Sequence, residues 1–308
     1  MKIFTHNFNP NSDSGPNKFT RQLFRTMIDL HKVKIVPRQD QADVEFCLIQ
    51  QQVHKKKPMI LRLDGIYFNS DQDFNRQNSP IKFSYDNADT VVFQSNFNKN
   101  LTEHWFGTHK NSHVIHNAPD MSLIRNAKDD YFKDMFPAKT EVWCCASKWR
   151  PHKRLNDNIK YFLNHAPENA VLAVAGPVSG EQIVIPDPKK VILLGNLNYQ
   201  KLLSLYKRSK YFVHLAYLDH CPNVVVDAQA SGCHVICSSS GGTSEIVYNG
   251  TVIQEEDWDY KPIKLYNPPK IDFSNCYKVL SQQCEDMKPD IVKCANLYYN
   301  AFLEVAGR

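Results

Sequence analysis

Two carboxylates, Asp219 and Asp227, flank a helix start in Tyr217-Leu218-Asp219-His220-Cys221-Pro222-Asn223-Val224-Val225-Val226-Asp227-Ala228. Proline suits a first helical turn, where its missing N–H leaves no bond unmade. The N–H groups of Asn223 and Val224 then emerge from the helix start, a place that attracts phosphate. Asp227 follows within the helix, about 7.5 Å along its axis at about 1.5 Å per residue. A carboxylate on each side of an anion site fits a ligand with hydroxyls at both ends and a diphosphate between them. Each carboxylate accepts hydrogen bonds from hydroxyls at its own end. Taken singly, Asp219 equally fits a cap or turn residue, and Asp227 a solvent-facing helix position.

Downstream, Val235-Ile236-Cys237-Ser238-Ser239-Ser240-Gly241-Gly242-Thr243-Ser244-Glu245 reads as an apolar strand, a paired-Gly turn and a short helix. Two glycines permit close backbone approach to a ligand. Upstream, Ser147-Lys148-Trp149-Arg150-Pro151-His152-Lys153-Arg154 joins a strand to a helix and carries Lys148, Arg150 and Lys153. Cations beside a helix start stabilise negative charge on a departing phosphate; the same residues also fit a basic surface loop. In the first half, Asn11-Ser12-Asp13-Ser14-Gly15-Pro16 leads from a strand into a helix. Leu61-Arg62-Leu63-Asp64-Gly65 ends a strand in a carboxylate, which fits a capped turn or a group facing an acceptor.

Short apolar runs and helical stretches alternate around these segments. In the first half, runs lie at 2–6, 33–36, 44–48, 59–63, 91–94 and 112–115, and Phe19, Leu23, Met27 and Leu30 recur at helical spacing. In the second half, runs lie at 142–146, 171–175, 191–194, 211–216 and 234–237, with helices expected at 155–165, 199–208 and 222–231. Continuous apolar runs separated by helices predict parallel sheets covered on both faces. The expectation is an α/β chain of two Rossmann-like domains with sheets facing across a cleft, and ligands at the carboxyl ends of the strands. A polar break at 119–138 sets the expected boundary: residues 1–125, residues 126–290, and a closing helix within 291–308 expected to pack back on the first domain.

The length of 308 residues suits two domains of about 150 each. Hydrophobic residues at 42 % and charged residues at 22 % leave room for a sizeable core. The net charge of +5 admits an anionic ligand. Only His54-Lys55-Lys56-Lys57 approaches the basic clustering of a nucleic-acid binder, so no nucleic-acid partner is expected. Nine cysteines, at 47, 144, 145, 221, 233, 237, 276, 284 and 294, form no C-x-x-C pair. An odd, unpatterned set implies reduced thiols in the cytoplasm rather than disulfides or structural zinc. The N-terminus reads as a strand, not a signal peptide. No run approaches the roughly 18 apolar residues of a membrane span, which leaves at most peripheral membrane contact.

Together these phrases resemble the donor-binding motif of glycosyltransferase family 4. That motif has two acids, usually both Glu, in E-x-F-P-N-V-x-x-E-A-x-A-x-G, followed by G-G-x-x-E. Asp219 and Asp227 stand at the acid positions, with Pro222-Asn223-Val224 between them, Ala228, Ala230 and Gly232 after, and then Gly241-Gly242 and Glu245. The segment from Ser147 to Arg154 is similar to the family's G-R-x-x-x-x-K-G. Lys148 takes the Arg position, Lys153 the Lys position, and Ser147 and Arg154 the two Gly positions. Gly15 matches the family's Gly-rich loop. Ala88-Asp89-Thr90-Val91 through Ser95 and Val114-Ile115-His116-Asn117-Ala118-Pro119-Asp120 resemble A-D-x-V-x-x-x-S and V-I-x-N-G-V-D. Gly195 and Asn196 fall in a loop that contacts the base in relatives.

The resemblance implies the GT-B fold and a retaining, metal-independent hexosyl transfer without a cofactor. The donor is a UDP- or GDP-sugar and the acceptor a hydroxyl on a glycan, lipid or protein-linked chain. It makes Lys148, Lys153, Asp219 and Asp227 the catalytic set. Gly15, Arg150, Gly195, Asn196, Cys221, Asn223, Val224, Gly242 and Glu245 become donor contacts, and Asp64 an acceptor-side group. A leaving phosphate oxygen takes the acceptor's proton, so no protein base is required. Three rivals stand beside this reading. A GT-A enzyme would use a D-x-D metal site at Asp71-Gln72-Asp73 or Asp257-Trp258-Asp259. A GT-B nucleotide-sugar epimerase would need no acceptor. A nucleotide-sugar-binding relative would have lost catalysis through its Asp-for-Glu and Lys-for-Arg changes. A Rossmann dehydrogenase is disfavoured, since no G-x-G-x-x-G follows a strand.

Overall fold

The computed structural model describes residues 1–128, 130–179, 183–280 and 289–307; Cys284 and the end of the expected 126–290 and 291–308 segments at 281–288 and 308 lie outside the described residues. The chain divides into two units. The first comprises Met1–Ala118, Tyr260–Ile263 and the chain from Pro289. Its strands are β1 (Lys2–His6), β2 (Lys34–Val36), β3 (Val44–Leu48), β4 (Met59–Leu63), β5 (Thr90–Phe93) and β6 (Ser112–Val114). They pair in parallel in the order β2-β1-β3-β4-β5-β6. Every residue of β3, β4 and β5 is buried, Glu45 and Arg62 included, as in a sheet covered on both faces. Helix α1 (Gly15–His31) lays Phe19, Leu23, Phe24 and Met27 on this sheet. The C-terminal helix belongs to the same unit: Ile291, Ala295, Tyr298 and Phe302 share one apolar cluster with Ile3, Phe46 and Ile60.

Helix α2 (Phe74–Asn87) was not legible as a helix. It carries Pro80 inside, and Asn78 and Ser84 are among its few buried residues, so the apolar period is faint. Asp73 starts it by accepting from the Arg76 amide at 3.0 Å, an N-cap. Helix α3 (Asn96–Phe106) begins on Ser95 in the same way, through the Asn98 amide at 3.1 Å.

The second unit comprises Pro119–Asp259 and, among the described residues, 264–280. It therefore begins ahead of the expected break at 126. Helix α4 (Met121–Asn126) lies in it because Ile124 and Ala127 bury with Phe132 and Phe136 against Val142 and Val226. The polar Asn126-to-Asp130 stretch hides those apolar side chains. Strands β7 (Glu141–Ala146), β8 (Ala170–Ala175), β9 (Val191–Gly195), β10 (Tyr211–His214), β11 (His234–Ser238), β12 (Asn249–Ile253) and β13 (Cys276–Leu280) form one sheet. Their order is β13-β12-β11-β10-β7-β8-β9, with β13 antiparallel to β12 and the rest parallel. Strands β12 and β13, on one side of the sheet, go beyond the expected set; Asn249 and Gly250 mask the first.

Without its antiparallel edge, this order is doubly wound. The chain builds outward from β7 to β9, then returns to start again at β10 on the other side of β7. Cys144 and Ala173 pack on one face with α6 (Tyr199–Arg208) and α7 (Asn223–Ala230). Cys145, Leu172 and Val174 pack on the other face with α5 (Leu155–His165) and Trp149. The adjacent cysteines thus serve opposite faces, as the two-residue period of a strand requires. The described cysteines form no disulfide with one another. With α8 (Ile291–Val305) the helices are complete among the described residues, and none is long and apolar enough to cross a membrane.

Candidate functional site

The reversal of strand order lies between β7 and β10, and ligands of doubly wound sheets bind outside the carboxyl ends of the strands at such a point. The loop after β7 carries Lys148, Arg150 and Lys153; the loop after β10 carries Asp219. Each loop is built firmly. Trp149, 1 % exposed, points inward and donates from Nε1 to Ala175 O at 2.9 Å, which leaves Lys148 and Arg150 exposed on either side of it. Gly176 makes room for this loop. Its φ is +104°, and a Cβ there would lie 1.8 Å from Ser147 O.

Pro151–Lys153 form a 3-10 turn that ends in Arg154 at φ 53°. Arg154 thus takes, at the second Gly position of the G-R-x-x-x-x-K-G phrase, the left-handed backbone that glycine favours. Its side chain is 1 % exposed and forks onto Glu255, with Nη1 to Oε1 at 2.7 Å and Nη2 to Oε2 at 2.8 Å. It also donates to Pro269 O at 2.7 Å and stacks its guanidinium 4.9 Å from the Tyr217 ring centroid. Arg154 is a fastener, not a ligand-facing cation. Asn158 on α5 joins the loops, donating to Arg154 O at 2.7 Å and accepting from the Leu215 amide at 3.1 Å. The Tyr217 amide adds a direct bond to His152 O at 2.7 Å.

At the junction, Lys153 Nζ lies 2.6 Å from Asp219 Oδ2, and His214 Nε2 lies 2.9 Å from the same oxygen. Asp219 Oδ1 accepts from the His220 amide at 3.0 Å. Burial pushes the Asp219 carboxyl up, but the Lys153 ammonium and the His214 hydrogen bond outweigh it and hold the group well below the usual carboxylate range. Burial pushes the imidazoles the other way. His152 falls to about 3 and His220 to about 4, and His214 is lowered despite its bond to Asp219. The Lys153–Asp219 pair thus sits among imidazoles whose charged forms burial disfavours. Sequence reasoning missed His214 and the Arg154–Glu255 fork. The available signal was a lone His closing an otherwise apolar strand just ahead of Asp219.

The paired glycines meet the Asp219 segment itself. Gly242 N donates to Asp219 O at 2.7 Å, and a Cβ on Gly241, at φ +84°, would lie 2.4 Å from that oxygen. The close approach that Gly241 permits is thus made by the chain's own backbone. Ser240 Oγ adds a bond from the Leu218 amide at 3.0 Å. Glu245 follows, half-buried, in the 3-10 turn Ser244–Ile246 rather than in the expected short helix.

Pro222 is the cap of α7 rather than its first residue, because its ψ of 117° is extended. Its carbonyl accepts from the Val225 and Val226 amides at 3.0 and 3.3 Å. The amides of Asn223 and Val224 precede that first bond, at the very start of the helix. Cys221 is buried just before them. Asp227 is 6 % exposed, not solvent-facing, and sits close enough to Tyr206 to add to burial in pushing that phenol up. Gly195 and Asn196 are exposed at the end of β9, where Gly195 O takes the Gly176 amide at 2.7 Å.

In the first unit, Gly15 opens α1 behind a loop held by the Asn9 amide on Asn17 Oδ1 at 2.7 Å. Asp64 pairs with the buried Arg62, which also reaches Asn117 Oδ1 at 2.8 Å; burial raises the Asp64 carboxyl above its usual range. Asp73, half of one D-x-D triplet, is the cap of α2. Among the described residues no group of three His, Cys, Asp or Glu is placed to hold a metal ion.

Residues 127–260 match the model of the family described as Glycosyl transferases group 1. Solved structures resemble the whole chain. HepE from Anabaena in complex with UDP and glucose is 14 % identical, with 99 % of this chain and 100 % of that chain covered and a TM-score of 0.67. Sucrose-phosphate synthase from Thermosynechococcus elongatus is 13 % identical over 99 % and 96 % of the two chains, with a TM-score of 0.65. WaaG, a glycosyltransferase involved in lipopolysaccharide biosynthesis, is 12 % identical over 97 % and 95 %, with a TM-score of 0.59. No curated protein matches the chain by sequence. The fold is the α/β fold of GT-B glycosyltransferase structures.

Proposed function

We propose that this protein is a retaining, metal-independent glycosyltransferase of the cytoplasm. In this reading it moves a hexose from a UDP- or GDP-sugar to a hydroxyl of a glycan, lipid-linked or protein-linked acceptor. The observation that carries the reading is the Lys153–Asp219 pair at 2.6 Å, set before α7 where the strand order reverses. A diphosphate arriving there meets Lys153, the exposed Lys148 and Arg150 of the same loop, and the Asn223 and Val224 amides. Asp219 and Asp227 are assigned to hydroxyls at the two ends of the donor. Gly15, Gly195, Asn196, Cys221, Gly242 and Glu245 are assigned to its remaining contacts, and Asp64 to the acceptor side. The UDP and glucose of the HepE structure support a nucleotide-sugar donor.

In the transfer, the bond from the sugar's anomeric carbon to the diphosphate breaks while the acceptor oxygen bonds to the same face of that carbon. The acceptor's proton passes to the departing phosphate oxygen. Lys148, Lys153 and the α7 amides stabilise the charge that grows on the leaving group.

A screen of UDP- and GDP-sugars with EDTA present, read by free nucleotide and by the anomeric configuration of the product, tests the reading. Nucleotide release with a retained anomer is expected. Binding without release would replace it with a nucleotide-sugar-binding role, donor loss without transfer with an epimerase, and loss of activity in EDTA with a metal-dependent enzyme.

A further inference from the structure

His214 ends β10 with 3 % exposure and brings Nε2 to 2.9 Å from Asp219 Oδ2. A carboxylate only accepts, so Nε2 carries the proton and His214 donates. Lys153 donates to the same oxygen at 2.6 Å, and Oδ1 takes the His220 amide at 3.0 Å. Of the roughly four acceptor positions of a carboxylate, this leaves one, on Oδ1. The Asp219 side chain is 15 % exposed. The charged and titratable groups around the imidazole are Asp219 and Lys153, with His152 coupled to it from the 3-10 turn.

We propose that His214 is a positioning residue: it pins Asp219 Oδ2, Asp219 in turn holds the Lys153 ammonium, and the carboxylate presents its remaining Oδ1 position to a donor hydroxyl. An Asp side chain, one methylene shorter than the family's usual Glu, is thereby held by two donors on one oxygen instead of reaching forward. What Oδ1 meets rests on the donor reading above; the coupling of His214 to Asp219 does not.

The test separates the two. In the ligand-free protein, nitrogen-15 NMR is expected to show His214 neutral with its proton on Nε2 from about pH 6 to 8. A proton on Nδ1 overturns the proposal without any variant. Carbon-13 NMR of the Asp219 carboxyl then follows acid titration. His214→Phe is expected to raise its midpoint by about one pH unit, tenfold in proton affinity, and His214→Gln, which still donates, to restore most of the difference. An unchanged midpoint in His214→Phe overturns the proposal. Calorimetry with UDP-glucose and GDP-mannose completes the set. His214→Phe is expected to weaken binding about tenfold alone and not further on top of Asp219→Asn. A loss that persists in full beside Asp219→Asn means a merely structural role. If the NMR coupling is present but the wild-type protein binds no nucleotide sugar, the donor reading fails and the positioning of Asp219 stands.

Discussion

Lys153 and Asp219 meet through one oxygen, and each is held in place by the other. Lys153→Ala removes a cation expected at the leaving diphosphate, so kcat/KM for the donor should fall roughly 100- to 1,000-fold, the range seen for one charge-stabilising donor. The same variant leaves Asp219 with His214 and no counter-charge, so its carboxyl should rise toward its ordinary range. Near-normal turnover by Lys153→Ala would sink the assignment of the site. Asp227 differs in kind, being buried in α7 rather than lining the loop. Asp227→Asn keeps its size and removes its charge; transfer should drop at least about tenfold if its acceptor capacity is what matters, as measured by initial rates.

At the scale of elements, the loops after β7 and β10 are shaped by glycines at the ends of their neighbours. Gly176→Ala would place a Cβ 1.8 Å from Ser147 O, and the backbone φ there is +104°. It should cost about 2–3 kcal/mol of stability by urea unfolding. Gly241→Ala would strike Asp219 O at 2.4 Å. It should displace Asp219 and cut activity more than it cuts stability; equal, small effects on both would show that Asp219 does not depend on this contact. Gly241, with Gly242, was read in the sequence as room for a ligand. The folded chain fills that room with its own backbone, since only the sheet brings Ser240 to Gly242 beside Leu218 and Asp219.

For the whole molecule, the buried histidines set an acid limit. His152 and His220 have folded-state values of about 3 and about 4, and His214 is lowered too. Each has an unfolded value near 6.5, so below that pH the unfolded chain binds protons the folded one refuses. Stability is present in full above about pH 6.5 and falls as pH drops, by about 1.4 kcal/mol per pH unit for each such histidine. The depressed Asp219 adds loss in the same direction below its ordinary value of 3.8. Urea unfolding at pH 7.5, 6 and 5 checks this; a flat profile contradicts neutral burial of these rings.

Local pattern was enough for most elements. The apolar residues of β3, β4 and β5, the α1 face of Phe19, Leu23 and Met27, and the spacing of Asp219, Pro222 and Asp227 follow from residue type and period alone, whereas the burial of Glu45 and Arg62 does not. α2 escaped because its helix is held by an Asp73 cap and a few polar buried residues around Pro80 rather than by an apolar stripe. The sequence by itself determined a doubly covered parallel α/β chain and a charged loop ahead of a helix start, because periodicity and helix-end chemistry act over neighbouring residues. Only the tertiary structure decided that Lys153, His214 and Asp219 share one oxygen, that Arg154 turns away to Glu255, and that Asp227 is buried. Those pairings join residues as far apart as β7 and β12, and the order in which strands pair is written in no local stretch of the chain.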